Sequence, residues 1–259
     1  MKNTSLSRVV SDDPAILDFC KLMENYNVQY VDQSMKIKVG KVNSDRVLTY
    51  IQSHRISFDA LWNLAKKFNI DPKLKYTLTN MYYFSKNLGV CLEKSEGKNN
   101  FRIYAEKHVS KKEYLKLDDE MKFKVRNVES IKWDAESPKS FKKTYYESLI
   151  RPTPNNIKLA MFQSKVKYIP KIITDTLDTM DKDSFLGTYI VTDNITSRTA
   201  VDLKFNRFFQ FSEFENELQH WCKKNLKKYE KTLDIYPIHH VSLGVDADEK
   251  DYITVYFKL

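Results

Sequence analysis

The sequence predicts an α+β fold in which antiparallel strand pairs alternate with helices, and three stretches predict it. Residues 88–107 place two short apolar runs around a polar turn of Glu96, Gly97, Lys98, Asn99 and Asn100, which is a β-hairpin signature. In the second arm Phe101, Ile103 and Ala105 alternate with Arg102, Tyr104 and Glu106. One face of that strand is therefore apolar and the other polar. Residues 185–207 repeat the pattern, with Val201, Leu203 and Phe205 against Asp202, Lys204 and Asn206. Residues 239–259 repeat it again, with Ile253, Val255 and Phe257 against Thr254, Tyr256 and Lys258.

Taken in order, Asp13-Pro14 opens a helical pattern to about Asn25, with Ile16, Leu17, Phe19, Cys20, Leu22 and Met23 at helical spacing. In residues 29–40, Met35, Ile37 and Val39 alternate with Ser34, Lys36 and Lys38, and the same alternation puts Asp32 on the lysine side. Asn43-Ser44-Asp45 reads as the cap of a helix to about Ile51, and Ser57 opens another to about Phe68. Residues 111–126 are charged and helix-like. Residues 142–150 and 156–168 read as a strand pair around Arg151-Pro152-Thr153-Pro154-Asn155, a turn too stiff for helix. Helices are expected at about 170–180 and, with Ser212 as cap and Glu215 three residues on, at 212–228. Five strand pairs thus centre near residues 36, 97, 153, 195 and 248.

Composition narrows the partners. The 259 residues are 42% hydrophobic and 13% aromatic, which argues for a packed core rather than disorder. With only five glycines, Asn and Asp must take many turn positions. The net charge of +9 arises from 43 Lys and Arg against 34 Asp and Glu and favours anionic ligands. The basic residues are interleaved with acids rather than clustered, unlike a nucleic-acid tail or a polybasic anchor. Cys20, Cys91 and Cys222 lie far apart without a CxxC pair and read as reduced, buried thiols. No run reaches the length of a membrane span and residues 1–13 lack the apolar segment of a signal peptide, so a cytoplasmic protein is expected.

In each pair a strand shows one apolar face, suited to packing helices, and one face with Lys, Arg or Tyr. Two closures fit. An open sheet leaves the polar face wetted. A closed sheet of about ten strands turns it inward and leaves room for a ligand.

The αββα repetition resembles the aromatic prenyltransferase barrel, the ABBA fold, in which helices ring an antiparallel barrel whose lumen is the reaction chamber. Val241-Ser242-Leu243-Gly244 followed by Tyr252-Ile253-Thr254-Val255-Tyr256-Phe257 is similar to the last strand pair of fungal indole prenyltransferases. The cyanobactin prenyltransferases, which alkylate ribosomal cyclic peptides, are similar over more of the chain. Their first hairpin resembles Val31-Asp32-Gln33-Ser34-Met35-Lys36-Ile37 with Lys41 and Arg46 beyond it, their second resembles Arg102-Ile103-Tyr104, and their last resembles Ile235-Tyr236-Pro237 together with Val241 and Val255-Tyr256-Phe257-Lys258. The resemblance implies one closed barrel domain over residues 1–259. Where that family carries a first-strand glutamate, this chain has the shorter Asp32.

Under that resemblance the residues acquire roles. An allylic diphosphate ionises when cations stabilise its leaving pyrophosphate in a water-poor cavity, and the candidates are Lys36, Arg46, Arg102, Lys158, Lys204 and Lys258, with Lys38 and Lys41 behind them. Tyr104, Tyr256 and Tyr189 are candidates for shielding the allyl cation with their ring faces. Asp32 is the candidate for orienting the acceptor and taking its proton, with His240 and Glu106 as alternative bases. The implied partners are an allylic diphosphate, expected to be dimethylallyl, and a peptide side chain or small aromatic acceptor. Mg²⁺ is expected at most as a companion of the diphosphate, with no organic cofactor. Asp118-Asp119-Glu120 lacks the second half of a metal-binding acidic motif, residues 246–251 lack the Gly and Glu of a calcium loop, and no HExxH, P-loop or GxGxxG occurs. His239-His240 reads as structural. The same basic, aromatic strands would also suit a non-catalytic protein binding RNA or another polyanion on a concave surface, or a silent barrel assisting a peptide-modifying enzyme.

Overall fold

In the computed structural model the described residues are 6–38, 41–95, 97–107, 109–110, 112–113, 115–116, 124–149, 153–167, 174–175, 185–193, 199–205, 220, 223–224, 238–245 and 251–259. Ten strands run through them: β1 (Tyr30–Lys38), β2 (Lys41–Gln52), β3 (Ser85–Ser95), β4 (Lys98–Lys107), β5 (Lys124–Asp134), β6 (Ser137–Leu149), β7 (Phe185–Asp193), β8 (Thr199–Phe205), β9 (Ile238–Val245) and β10 (Asp251–Lys258). Every neighbouring pair is antiparallel, and β1 pairs with β10, so the meander closes into a barrel. The open-sheet alternative is thereby excluded.

Among the described residues, helices bounded at both ends are α1 (Pro14–Met23), α2 (Phe58–Lys67), α3 (Lys75–Tyr83) and α4 (Pro154–Gln163). The starts of α1, α2 and α4 follow capping chemistry. The side chains of Asp13, Ser57 and Thr153 accept from the amides of Ala15, Ala60 and Asn156, and Pro14 and Pro154 occupy first-turn positions where a missing amide hydrogen costs nothing. The core lies between helices and sheet. Ile16, Phe19 and Met23 of α1 and Leu61, Leu64 and Ala65 of α2 join Val31, Met35, Val47, Ile51, Phe101, Ile103, Trp133, Val255 and Phe257 in one buried cluster. Phe101 is its hinge point: it stacks on Phe68 at 4.1 Å and meets Trp133 at 4.9 Å, while the Trp133 indole donates to the Phe68 carbonyl at 2.7 Å. None of the helices among the described residues is long and apolar enough to cross a membrane.

Three expectations are corrected. Residues 43–51 are not helix but most of β2. Val47, Thr49 and Ile51 are fully buried on the outer side while Leu48 packs on the inner, so both faces are apolar there and the period is obscured; the β-branched residues at 47, 49 and 51 favoured strand. Residues 124–134 are strand β5, which ends the helix-like stretch of 111–126 earlier than read. The third hairpin turns at Ala135-Glu136, where the Asp134 carboxylate accepts from the Glu136 amide at 2.9 Å, a local turn-forming bond. Pro154 instead opens α4, which replaces the expected second arm and puts the exposed Lys158 on a helix rather than on a strand. The helices expected at 170–180 and 212–228 lie largely outside the described residues.

Candidate active site

Alternation decides which side chains enter the barrel, and the ladder carries that choice around the wall. Lys36 opposes Thr254, Ser34 opposes Tyr256 and Asp32 opposes Lys258 between β1 and β10, with no break in register. Arg46 opposes Ser34 on β1 and Glu93 on β3, and Cys91 and Gly89 oppose Arg102 and Tyr104 on β4. Lys132 opposes Arg102 and, beyond it, Lys142. Residues paired across an antiparallel ladder share a face. Asp32, Lys36, Arg46, Arg102, Tyr104 and Tyr256 consequently belong to the inner face, as strand alternation predicts for all but Arg46, which the sequence reading placed in a helix. By backbone register Lys204 stands opposite His240, Tyr189 opposite Ser148 and Asp202, and Lys258 opposite Asp32; the side chains of Lys204, Tyr189 and Lys258 lie outside the described residues, as do those of Lys38 and Lys41.

A cavity of about 110 Å³ occupies one end of the barrel, several times the roughly 10–15 Å³ that one water needs. Tyr30, Tyr50, Tyr104, Tyr146, Tyr256 and His240 form most of its wall, together with Leu48 and Val128; Arg46, Glu106 and Asn87 supply its polar groups. Gly89 makes part of this room, since a Cβ there would sit 3.1 Å from Leu48 Cδ1 and from Tyr104 Cβ. His240 stacks on Tyr256 with centroids 3.5 Å apart, and the Arg46 guanidinium lies 4.7 Å from the Tyr256 ring centroid. The Asn87 amide donates to the Glu106 carboxylate at 2.9 Å and fixes its orientation.

The cations form two tiers. Arg46 donates from Nε to Ser34 Oγ at 2.8 Å and from Nη1 to the Tyr104 hydroxyl at 3.3 Å. Arg102, which is not among the cavity-lining residues, donates from Nη1 to the hydroxyls of Tyr104 at 3.0 Å and Tyr146 at 3.2 Å. Its Nε is buried without a hydrogen-bond partner. Lys132 pairs with Glu93 at 2.8 Å. Burial alone would raise the Glu93 carboxyl, but Lys132, Arg102 and Arg46 hold it well below the usual carboxylate range. Burial likewise opposes charge on Arg102, and Tyr104, Tyr146 and Glu93 outweigh it. Burial pushes the Tyr104 and Tyr50 hydroxyls well above their ordinary values, so both stay protonated. Lys36 is half-buried and further along β1 from the cavity, its ammonium 4.1 Å from the Tyr252 ring centroid.

Asp32 is 2% exposed and its charge bears on Tyr50, which lines the cavity. Cys91 is a free, buried thiol on the same face, pushed up to about 11 chiefly by burial; Cys20 is buried and free on the outer side. Cys222 lies outside the described residues. The structure adds Tyr30, Tyr50, Tyr146, Glu93 and Lys132 to the residues singled out from sequence. Tyr50 and Lys132 fall in the strands misread above, and alternation from Arg46 or Ile131 would have found them; Tyr146 falls in residues 142–150, read as strand but paired with 156–168 instead of with β5.

The arrangement can hold an anion against guanidinium groups and surround a carbocation with aromatic faces. It compares with known folds as follows. The 5-dimethylallyltryptophan synthase of Streptomyces coelicolor superposes with a TM-score of 0.60 at 9% identity, over 88% of this chain and 80% of that one. AnaPT from Neosartorya fischeri gives 0.60 at 9% identity over 99% and 91%. The fold is the prenyltransferase barrel. A third prenyltransferase barrel, the 6-dimethylallyltryptophan synthase of Micromonospora olivasterospora solved with DMASPP and Trp, gives 0.58 at 10% identity over 88% and 81%. No protein-family model matches the sequence, and no curated protein does either.

Proposed function

We propose that this barrel is a prenyltransferase, moving an isoprenyl group from an allylic diphosphate to an electron-rich acceptor, either a peptide side chain or a small aromatic. The observation that carries the reading is the tyrosine-walled cavity with Arg46 on its wall and Arg102 bonded behind Tyr104 and Tyr146. In this reading the diphosphate lies against Arg46, with Arg102 and Lys36 reinforcing the positive field from behind and Lys204 and Lys258 at neighbouring register positions. The bond between the allylic carbon and the diphosphate oxygen breaks, and its electron pair leaves with pyrophosphate. Preorganised donors stabilise that developing charge without reorganising. Tyr104, Tyr256 and Tyr146 face the allyl cation, and Tyr189 is kept as a fourth shield. The acceptor then forms the new carbon bond and releases a proton to Asp32, with Glu106 as the alternative acceptor of that proton. Mg²⁺ enters only as a counter-ion carried with the diphosphate.

The alternative of a basic concave surface for RNA is less well supported, because Arg46 and Arg102 belong to the inner face of a closed barrel and are not presented to a polynucleotide. The decisive experiment is incubation with dimethylallyl diphosphate and a panel of aromatic amino acids and tyrosine- or tryptophan-containing peptides, read by mass spectrometry. A mass gain of one isoprenyl unit on an acceptor is expected. No adduct on any acceptor, together with no calorimetric binding of the diphosphate, would refute the reading.

A further inference from the structure

The cavity lies at the end of the barrel where β1, β3 and β5 begin, since its lining includes Tyr30, Asn87 and Val128 from the first residues of those strands and Tyr50 and Glu106 from the last of β2 and β4. Helix α3 runs directly into that rim: it ends at Tyr83, and β3 starts at Ser85. Three aromatic rings stand open to solvent here, Tyr76 at 75%, Tyr83 at 71% and Phe84 at 70% exposure. Tyr76 and Tyr83 are seven residues apart, hence on one face of the helix about 10 Å apart along its axis. Phe84 is three residues from cavity-lining Asn87, about 10 Å along a strand.

This strip is presented by a fixed support. Tyr82, between the exposed rings, is packed against the core; its hydroxyl donates to the Ile56 carbonyl at 2.8 Å and its ring meets Phe58 at 5.6 Å. Tyr83 rests edge-on against Tyr82, centroids 5.2 Å apart. The Ser53 hydroxyl lies within donating distance of the carbonyls of Ser85 at 2.7 Å and Lys86 at 3.0 Å, and the Ser85 hydroxyl donates to the Tyr82 carbonyl at 2.8 Å. Exposed charge around it is mostly basic: Arg55 follows β2, Lys73 and Lys75 stand at the start of α3 and Lys86 opens β3, against Asp59 of α2. Exposed aromatic strips of this kind mark interaction surfaces, and a flanking positive field selects an acidic partner.

We propose that α3 and the start of β3 form a docking strip for an extended, acidic polypeptide with apolar side chains, which lays one segment along Tyr76, Tyr83 and Phe84 and delivers an adjacent aromatic residue to the cavity. This rests on the prenyltransferase reading for what happens in the cavity and names the acceptor class as peptide. A cavity of about 110 Å³ cannot enclose a polypeptide, so recognition of the rest of a longer partner falls to the surface around it.

The test uses the full chain and a fluorescein-labelled peptide, Gly-Glu-Leu-Leu-Glu-Tyr-Gly, by fluorescence anisotropy. Tyr83→Ser combined with Phe84→Ser changes only exposed side chains, and Arg55→Glu combined with Lys86→Glu reverses the local charge. Both double variants are expected to weaken peptide binding about tenfold, the scale of losing an anchor residue, while keeping the parental thermal transition and the parental affinity for dimethylallyl diphosphate. Equal peptide affinity in parent and variants, absence of binding by the parent, or tighter binding to phosphatidylserine vesicles than to the peptide would overturn the proposal. A parent that binds the peptide but not the diphosphate would sink the prenyltransferase reading while leaving the strip in place.

Discussion

Arg46 and Tyr104 stand on strands that do not pair with each other, yet Arg46 Nη1 donates to the Tyr104 hydroxyl at 3.3 Å across the width of β3. Arg102 donates to the same oxygen at 3.0 Å. One neutral phenol thus holds two guanidinium groups near each other, with Glu93 and the Tyr146 hydroxyl supplying partial compensation. Arg46→Ala is expected to weaken dimethylallyl diphosphate binding by about tenfold or more, because charge-assisted bonds are worth roughly 1.5–3 kcal/mol. Arg102→Ala is expected to cost less affinity, since Tyr104 and Tyr146 stand before it. Isothermal calorimetry on the two variants checks the order; an unchanged affinity for Arg46→Ala contradicts the assignment of the diphosphate site.

Glu93 makes the barrel sensitive to acid. Its folded carboxyl titrates below an unfolded value of about 4.3, so its contribution to stability is complete above that value and is lost as pH falls from there toward the folded pKa. Denaturant midpoints are expected to hold between pH 7 and pH 5 and to fall between pH 4 and pH 2. Glu93→Gln leaves the half-buried Lys132 near like charges and is expected to cost about 1–3 kcal/mol at pH 7. The same variant should lose Glu93's share of the acid-side slope, read as a smaller drop in midpoint over the same pH range.

How far the sequence revealed this molecule depends on what each strand face meets. In β4 and β10 the outer residues meet helices and core while the inner ones meet charge and hydroxyl, so Phe101-Arg102-Ile103-Tyr104 and Ile253-Thr254-Val255-Tyr256 alternate cleanly. In β2 the inner face carries Leu48 and Tyr50, which pack beside Tyr104, and the apolar period blurs into something helix-like. In β6 exposed or half-buried Ser137, Lys139, Phe141 and Lys143 alternate with no strong apolar face, and β5 carries a bulge between Arg126 and Val128. Misplacing the hairpin hid Lys132, and it gave the strand that holds Tyr146 the wrong partner, so the place of Tyr146 opposite Val128 was not legible. Glu93 was hidden differently: nothing in a lone strand glutamate announces that Lys132, Arg46 and Arg102 converge on it.

Gly244 tests the packing that closes the barrel. A Cβ there would lie 2.5 Å from the Tyr252 hydroxyl oxygen and 2.8 Å from the Ala200 Cβ. Tyr252 is 2% exposed and has little room to move, and its ring carries the Lys36 ammonium. Gly244→Ala is expected to destabilise the fold by about 1–3 kcal/mol, the usual range for overpacking, measured as a lower thermal midpoint. A midpoint equal to the parent's would mean that Tyr252 has another resting place.

Asp32 carries the sharpest expectation. It is buried on the inner face beside Tyr50, opposite Leu48 on β2 and Lys258 on β10. In the proposed reaction its carboxylate accepts from the acceptor and stabilises the positive charge that grows as the acceptor attacks the allyl cation. Asp32→Asn keeps the size and removes that charge, so folding and diphosphate binding should survive. Transfer should slow by about 10²–10⁴-fold, the range for a positioned acid–base group. Asp32→Glu should recover part of the rate, because the charge returns on a longer arm. Glu106→Gln, measured alongside, separates the two candidate bases: the one whose loss slows single-turnover transfer at saturating diphosphate takes the proton. The thermal transition of each variant must match the parent's before the rates are compared. Transfer by Asp32→Asn at the parental rate would make the carboxylate structural and move the role of base to Glu106.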